Sequence, residues 1–148
     1  MPLLHEDITH EIIGTFYEVY RTIGHGFLES VYAAAMATEL ELRRIPFEQE
    51  WPYPVVYKGI RIATARADLV VCNRVIVELK TAERIAGTHE AQLFNYLRAS
   101  GLQVGLILNF GPKAQKRRLI WTGREGTLDD AQPGASMLIQ HQAKSTHG

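Results

Sequence analysis

Cysteine is almost missing. A lone Cys72 excludes an intramolecular disulfide framework and any multi-cysteine zinc or iron–sulfur site within one chain. A reducing compartment, most simply the cytoplasm, is the expectation that follows. Excess charge is missing too: 16 Lys and Arg balance 16 Asp and Glu. That argues against a polycation that coats nucleic acid or membrane, and leaves room for a local basic groove. No apolar run approaches the roughly 18 residues of a membrane span. The opening Met1-Pro2-Leu3-Leu4-His5-Glu6-Asp7 has early acids and no basic flank, unlike a signal peptide. There are no internal repeats. No GxSxG-type elbow is present, and Cys72 has no evident activating base.

What remains is ordinary globular material. The 148 residues are 46% hydrophobic and 22% charged, enough for one domain with its own core. Ile8, Ile12, Ile13, Phe16, Val19, Tyr20 and Ile23 recur at helical spacing. Gly24-His25-Gly26 breaks that helix. Leu28, Val31, Tyr32, Ala35, Met36 and Leu40 form a second stripe, limited by Pro46. The pattern then changes to period two at Trp51, Tyr53, Val55 and Tyr57. Pro52 and Pro54 place their missing N–H groups on one side, as suits an edge strand.

Lys58-Gly59 predicts a turn, and strands follow over 60–71 and 75–80, joined by Cys72-Asn73-Arg74. A third helix is predicted over 88–100, ended by Gly101. A continuous apolar run over 102–110 predicts a strand buried on both faces, and 118–122 a last short strand. The order α-α-β-β-β-α-β-β implies an α/β (α+β) fold, a mixed central sheet flanked by helices. Residues 1–123 hold this pattern. Residues 124–148 read as a flexible or loosely docked tail.

The chemistry concentrates in the hairpin. If Asn73 centres a three-residue loop, Val71 faces Val75 and Asp68 faces Glu78, with Cβ atoms about 4.5–5.5 Å apart. Glu78 and Lys80 share a face, while Val75, Val77 and Leu79 point into the core. Two opposed carboxylates repel, so the strand pair needs a cation: Lys80, or a divalent metal with oxygen ligands such as Mg²⁺ or Mn²⁺. A surface salt-bridge cluster is the plain alternative. Glu29 begins the second helix, where an acid also complements the helix dipole, and Tyr32 lies near its face. Gln92 and Tyr96 are spaced i, i+4 on the third helix. Lys113, Lys116, Arg117 and Arg118 are the one dense basic run, fit for a phosphate backbone or for solvent. His89 begins the third helix as a cap or a site residue.

Together these residues resemble a known family. Gly26-Phe-Leu-Glu29-Ser-Val-Tyr32 is similar to the motif that names the GxxExxY proteins. Asp68 followed by Glu78-Leu-Lys80 resembles the D…ExK signature of the PD-(D/E)XK nuclease superfamily. Gln92-Leu-Phe-Asn-Tyr96 is similar to the QxxxY motif of its RecB-like branch, and Leu108-Asn109-Phe110-Gly111 resembles the family's fourth core strand ending. Ala67 stands before Asp68 where the superfamily's name has proline. The resemblance runs from about Ile8 to Trp121.

It implies a restriction-endonuclease-like core and a metal-dependent nuclease acting on DNA. By that resemblance Asp68, Glu78 and the Leu79 carbonyl hold Mg²⁺ or Mn²⁺, with Glu29 a further ligand, directly or through water. Lys80 orients or deprotonates the attacking water. Gln92 and Tyr96 support the site, with Tyr32 and His25 beside it. A core this small suggests a homodimer where duplex DNA has to be embraced. The rival reading is a weakly active or inactive nuclease-fold module that binds nucleic acid or a protein partner, in keeping with the zero net charge.

Overall fold

The computed structural model describes residues 4–123. Helices α1 (Glu6–Ile23) and α2 (Glu29–Leu42) come first. Strands β1 (Phe47–Tyr57), β2 (Ile60–Val71) and β3 (Val75–Lys80) follow, then α3 (Gly87–Ser100), β4 (Val104–Phe110) and β5 (Ala114–Ile120). This is the expected order. The last strand begins four residues earlier than the sequence pattern predicts, because Ala114 to Arg117 pair with Phe110 to Ile107 of β4 despite their polarity. The tail expected over 124–148 lies outside the described residues. Among the described residues no helix is long and apolar enough to cross a membrane.

The five strands lie in the order β1-β2-β3-β4-β5. Neighbours are antiparallel except β3 and β4, which run parallel with α3 as the crossover. β1 is an edge strand, as its two prolines require. All seven residues of β4 are buried, which explains their unbroken apolar run.

Helices cover both faces. One core joins α1 and α2 to the sheet through Ile12, Phe16, Tyr32, Met36, Leu69, Val77, Leu79 and Phe110. The other joins α3 through Tyr53, Ala67, Val70, Ile76, Leu93, Tyr96 and Ile107. The Tyr32 ring stacks on Phe110 at 4.2 Å, and Phe16 meets Phe110 edge-on at 4.8 Å. The Tyr32 hydroxyl donates to the Gly24 carbonyl at 2.5 Å and accepts the Phe27 N–H at 3.3 Å. Gly24 and Gly26 hold φ values of 69° and 109°, which side chains with a Cβ rarely adopt. Tyr32 therefore fixes the turn that delivers Glu29 to the start of α2.

Candidate functional site

The local backbone departs from a regular sheet where the acids sit. β1 and β2 pair at Gln49 with Leu69 and again at Trp51 with Ala67, but the intervening Glu50 and Asp68 are not ladder partners. Glu50 has φ of 49°, a left-handed value. The alternation of faces inverts there. Leu69 and Val71 enter the core of α1 and α2, whereas Ala67 enters the core of α3. An unbroken strand would put all three on one side.

The β2–β3 ladder is also interrupted. Val71 faces Val75 and Leu69 faces Val77, in the predicted register, and pairing then stops. The expected Asp68–Glu78 rung is not formed. Each carboxylate instead bonds to the other strand's backbone. Glu78 Oε2 accepts the Asp68 N–H at 2.9 Å, and Asp68 Oδ2 accepts the Leu79 N–H at 2.7 Å. The strands diverge, and two amides that a ladder would have used are satisfied by acids.

From β3 a polar chain leads to α3. Lys80 Nζ donates to Gln92 Oε1 at 2.9 Å, and Gln92 Nε2 donates to the Tyr96 hydroxyl at 3.1 Å. Tyr53 meets Tyr96 edge-on at 4.7 Å, which anchors the far end. On the other side of the sheet Glu29, Glu41, Glu50, Asp68 and Leu79 line a cleft of about 590 Å³ between α2 and β1.

Burial and crowding of like charge set the electrostatics. Glu78 is 4% exposed. Its carboxyl is pushed up to about 8, first by burial and then by the Asp68 charge. Burial also raises Asp68, against the pull of the Leu79 N–H and of Lys80. Glu29 is raised by burial and by Asp68, with Lys80 opposing. Three acids are therefore held above their ordinary range, which a cation among them would reverse.

Glu29, expected as a further ligand directly or through water, does not close with Asp68 and Glu78 into a direct three-acid cluster. Among the described residues no three His, Cys, Asp or Glu side chains come together closely enough to hold an ion. The cause is the inverted alternation: Asp68 and Glu29 line the α2 cleft, while Glu78 lies on the strand face of Ile76, toward α3. The donor set at the strand break still fits a hard divalent cation. Asp68 and Glu78 each commit one oxygen to a backbone amide and keep the other, and Mg²⁺ usually takes only one or two carboxylates beside waters and substrate oxygens.

Other expected residues divide. His25 is exposed, with no hydrogen bond to the site among the described residues. His89 is a cap, its Nδ1 accepting the Ala86 N–H at 3.0 Å. The basic run is mostly engaged within the chain: Lys116 with the Tyr17 hydroxyl and ring, Arg117 with Glu90, and Arg118 with the Leu4 carbonyl. Cys72 is half-buried in the β2–β3 turn.

Sequence reasoning missed Glu50, and it named Asn109 only within a motif, without a role. Glu50 joins the cleft only through its unusual backbone, which no periodicity foretells. Asn109, fully buried, makes paired bonds of 2.9 Å with the Ala82 N–H and carbonyl. It thereby fixes the loop that leaves Lys80. Its position in an otherwise apolar run was the available signal.

A family model for the PD-(D/E)XK nuclease superfamily matches residues 6–119. The crystal structure of SSO0001 is similar with a TM-score of 0.52 and 19% identity, over 74% of this chain and 57% of that one. The chain thus spans little more than half the length of SSO0001, and the likeness is one of fold. An alkaline exonuclease from Laribacter hongkongensis, LHK-Exo, gives a TM-score of 0.48 and 9% identity over 98% of this chain and 83% of that one. No curated protein matches the sequence.

Proposed function

The chain belongs to the PD-(D/E)XK nuclease superfamily, and from that premise we propose that it is a GxxExxY protein of the RecB-like branch that hydrolyses phosphodiester bonds in DNA using Mg²⁺ or Mn²⁺. The observation that carries this reading is the strand break, where Asp68 and Glu78 exchange backbone amides beside the Lys80–Gln92–Tyr96 chain. A regular sheet gains nothing from such a break. This break leaves one oxygen of Asp68 and one of Glu78 uncommitted beside the strand that carries Lys80, which suits a phosphodiesterase.

In this reading Asp68, Glu78 and the Leu79 carbonyl would hold the ion, with Glu29 a further ligand directly or through water. A bound divalent ion supplies a more acidic water and polarises the phosphoryl oxygen. Lys80 sets its ammonium, held by Gln92, against the charge that grows on the phosphate. Gln92 passes that constraint to the Tyr96 hydroxyl, so the lysine is positioned from α3 rather than by its own flexible stem. Tyr32 acts at one remove, through the turn before Glu29. The nuclease unit is residues 1–123, and duplex substrates are taken by a homodimer.

The test is incubation of purified protein with single-stranded, duplex and branched DNA plus Mg²⁺ or Mn²⁺. Cleavage is expected with either metal and not with EDTA, and it is lost in Glu78→Ala and Lys80→Ala. Cleavage that persists in both variants sinks the assignment.

A further inference from the structure

The hairpin formed by β1 and β2 continues past the sheet. β2 pairs with β3 only over Leu69–Val71, so residues 60–67 have β1 as their sole strand neighbour among the described residues. Residues 60–64 are all exposed, with Ile60 at 66% and Ile62 at 63%. A ribbon that gives up so much burial needs another use.

Its composition is one-sided. The 16 residues from Trp51 to Arg66 contain Lys58, Arg61 and Arg66 and no acid. The rest of the chain then carries 13 basic side chains against 16 acidic, so overall neutrality conceals a basic arm beside an acidic body. Arg61 and Arg66 have no ion-pair partner among the described residues, in contrast to Arg117.

Register places the two arginines together. Arg66 is opposite Pro52 and Arg61 opposite Val56. The register shifts by one β2 residue between Val55 and Val56, so the two arginines, five apart on β2, face partners four apart on β1 and stand on one ribbon face, about 13 Å apart. Tyr53 and Ala65 pack toward α3 from the other face. Arg66 lies two residues before Asp68, so the basic face runs directly into the strand break. Pro52 and Pro54 stiffen the arm behind it.

We propose that the β1–β2 ribbon is a nucleic-acid arm, in which Arg61 and Arg66, with Lys58 at the tip, bind the phosphate backbone and feed the strand toward Asp68 and Glu78. This rests on the nuclease reading for what happens at the site, but not for the binding itself. Charge complementarity selects the occupant: a polyanion gains from a ribbon that carries Arg61 and Arg66 and has no acid in its own sequence. Tyr57 and Ile60 at the tip add flat apolar surface suited to unstacked bases.

Fluorescence anisotropy with labelled single-stranded and duplex DNA in EDTA, over a range of salt, tests the arm apart from hydrolysis. Arg61→Gln/Arg66→Gln is expected to bind at least tenfold more weakly near 0.1 M salt. Its slope of log affinity against log salt is expected to be shallower by about 1.4 for single strands and about 1.8 for duplex. Arg61→Lys/Arg66→Lys keeps the wild-type slope, which a merely structural role for the arginines would not predict. The arm is overturned if the Gln pair binds with wild-type affinity and slope. It is overturned equally if Ile60→Asp/Ile62→Asp alters sedimentation while the Gln pair leaves DNA binding untouched, since the ribbon then docks a second copy. Wild-type cleavage with Mn²⁺ and unchanged binding by the Gln pair removes the arm and spares the nuclease reading. Arginine-dependent binding without any cleavage does the reverse.

Discussion

Replacing Glu78 by glutamine removes one ionisable proton from the most buried acid of the site and little else. Gln keeps an oxygen to accept the Asp68 N–H. The folded-state value of Glu78 is about 8, against an ordinary 4.5. In the unfolded chain the carboxyl loses its proton near the ordinary value; in the folded chain it keeps it until about pH 8. Between those values the native state binds more protons, so metal-free stability falls as pH rises and levels off above the folded value. At about 1.4 kcal/mol per tenfold change, the loss reaches up to about 5 kcal/mol, and local opening that hydrates the carboxyl lowers it. Urea unfolding in EDTA at a series of pH values between about 4.5 and 8.5 measures it. Glu78→Gln is expected to gain on the wild type by about 3 to 5 kcal/mol across that window, and Mn²⁺ to flatten the wild-type curve by taking up the buried charge. Parallel curves for the two proteins would refute the reasoning, because they would mean that Glu78 is ionised at no cost in the folded state.

Gln92→Ala frees the Lys80 ammonium from its acceptor. It is expected to lower kcat for DNA cleavage by roughly ten- to a hundredfold, or about 1.4–2.7 kcal/mol, with stability within about 1 kcal/mol of wild type. Single-turnover cleavage and a urea melt check both parts. Gly111→Ala places a Cβ 1.9 Å from the Ala82 carbonyl oxygen, in the loop that Asn109 holds. It should cost about 2 kcal/mol or more and disturb cleavage through Lys80, whereas wild-type stability in a melt would remove the loop from the account.

Much of this was legible. Apolar periodicity located the helix stripes and the strands, because each stripe buries one face while β4 is buried on both. The turn centred on Asn73 set the true register of β2 and β3, with Val71 opposite Val75. The error lay beyond Leu69 and Val77, where the expected Asp68–Glu78 pair is not formed. Extending that register assumes strict alternation, and the strand break at Glu50 and Asp68 overrides it through a backbone conformation with no sequence signature. The residues of the lysine chain were found through the resemblance of Gln92-Leu-Phe-Asn-Tyr96 to a QxxxY motif, since helical spacing alone gives a Gln and a Tyr no joint role. The basic run stayed open between a phosphate backbone and solvent. Sequence density says nothing of partners, and Arg117 and Arg118 are spent on Glu90 and Leu4. The isolated Arg61 and Arg66 drew no attention, since only the fold puts them on one exposed face.

The most direct measurement is a crystal structure of the protein grown with Mn²⁺, read by its anomalous signal. The expected result is an ion bonded to the free oxygens of Asp68 and Glu78 and to the Leu79 carbonyl, with Glu29 at one water's remove and Lys80 beside it. An ion bound elsewhere on the chain, or no ion at this strand break at saturating Mn²⁺, would contradict it.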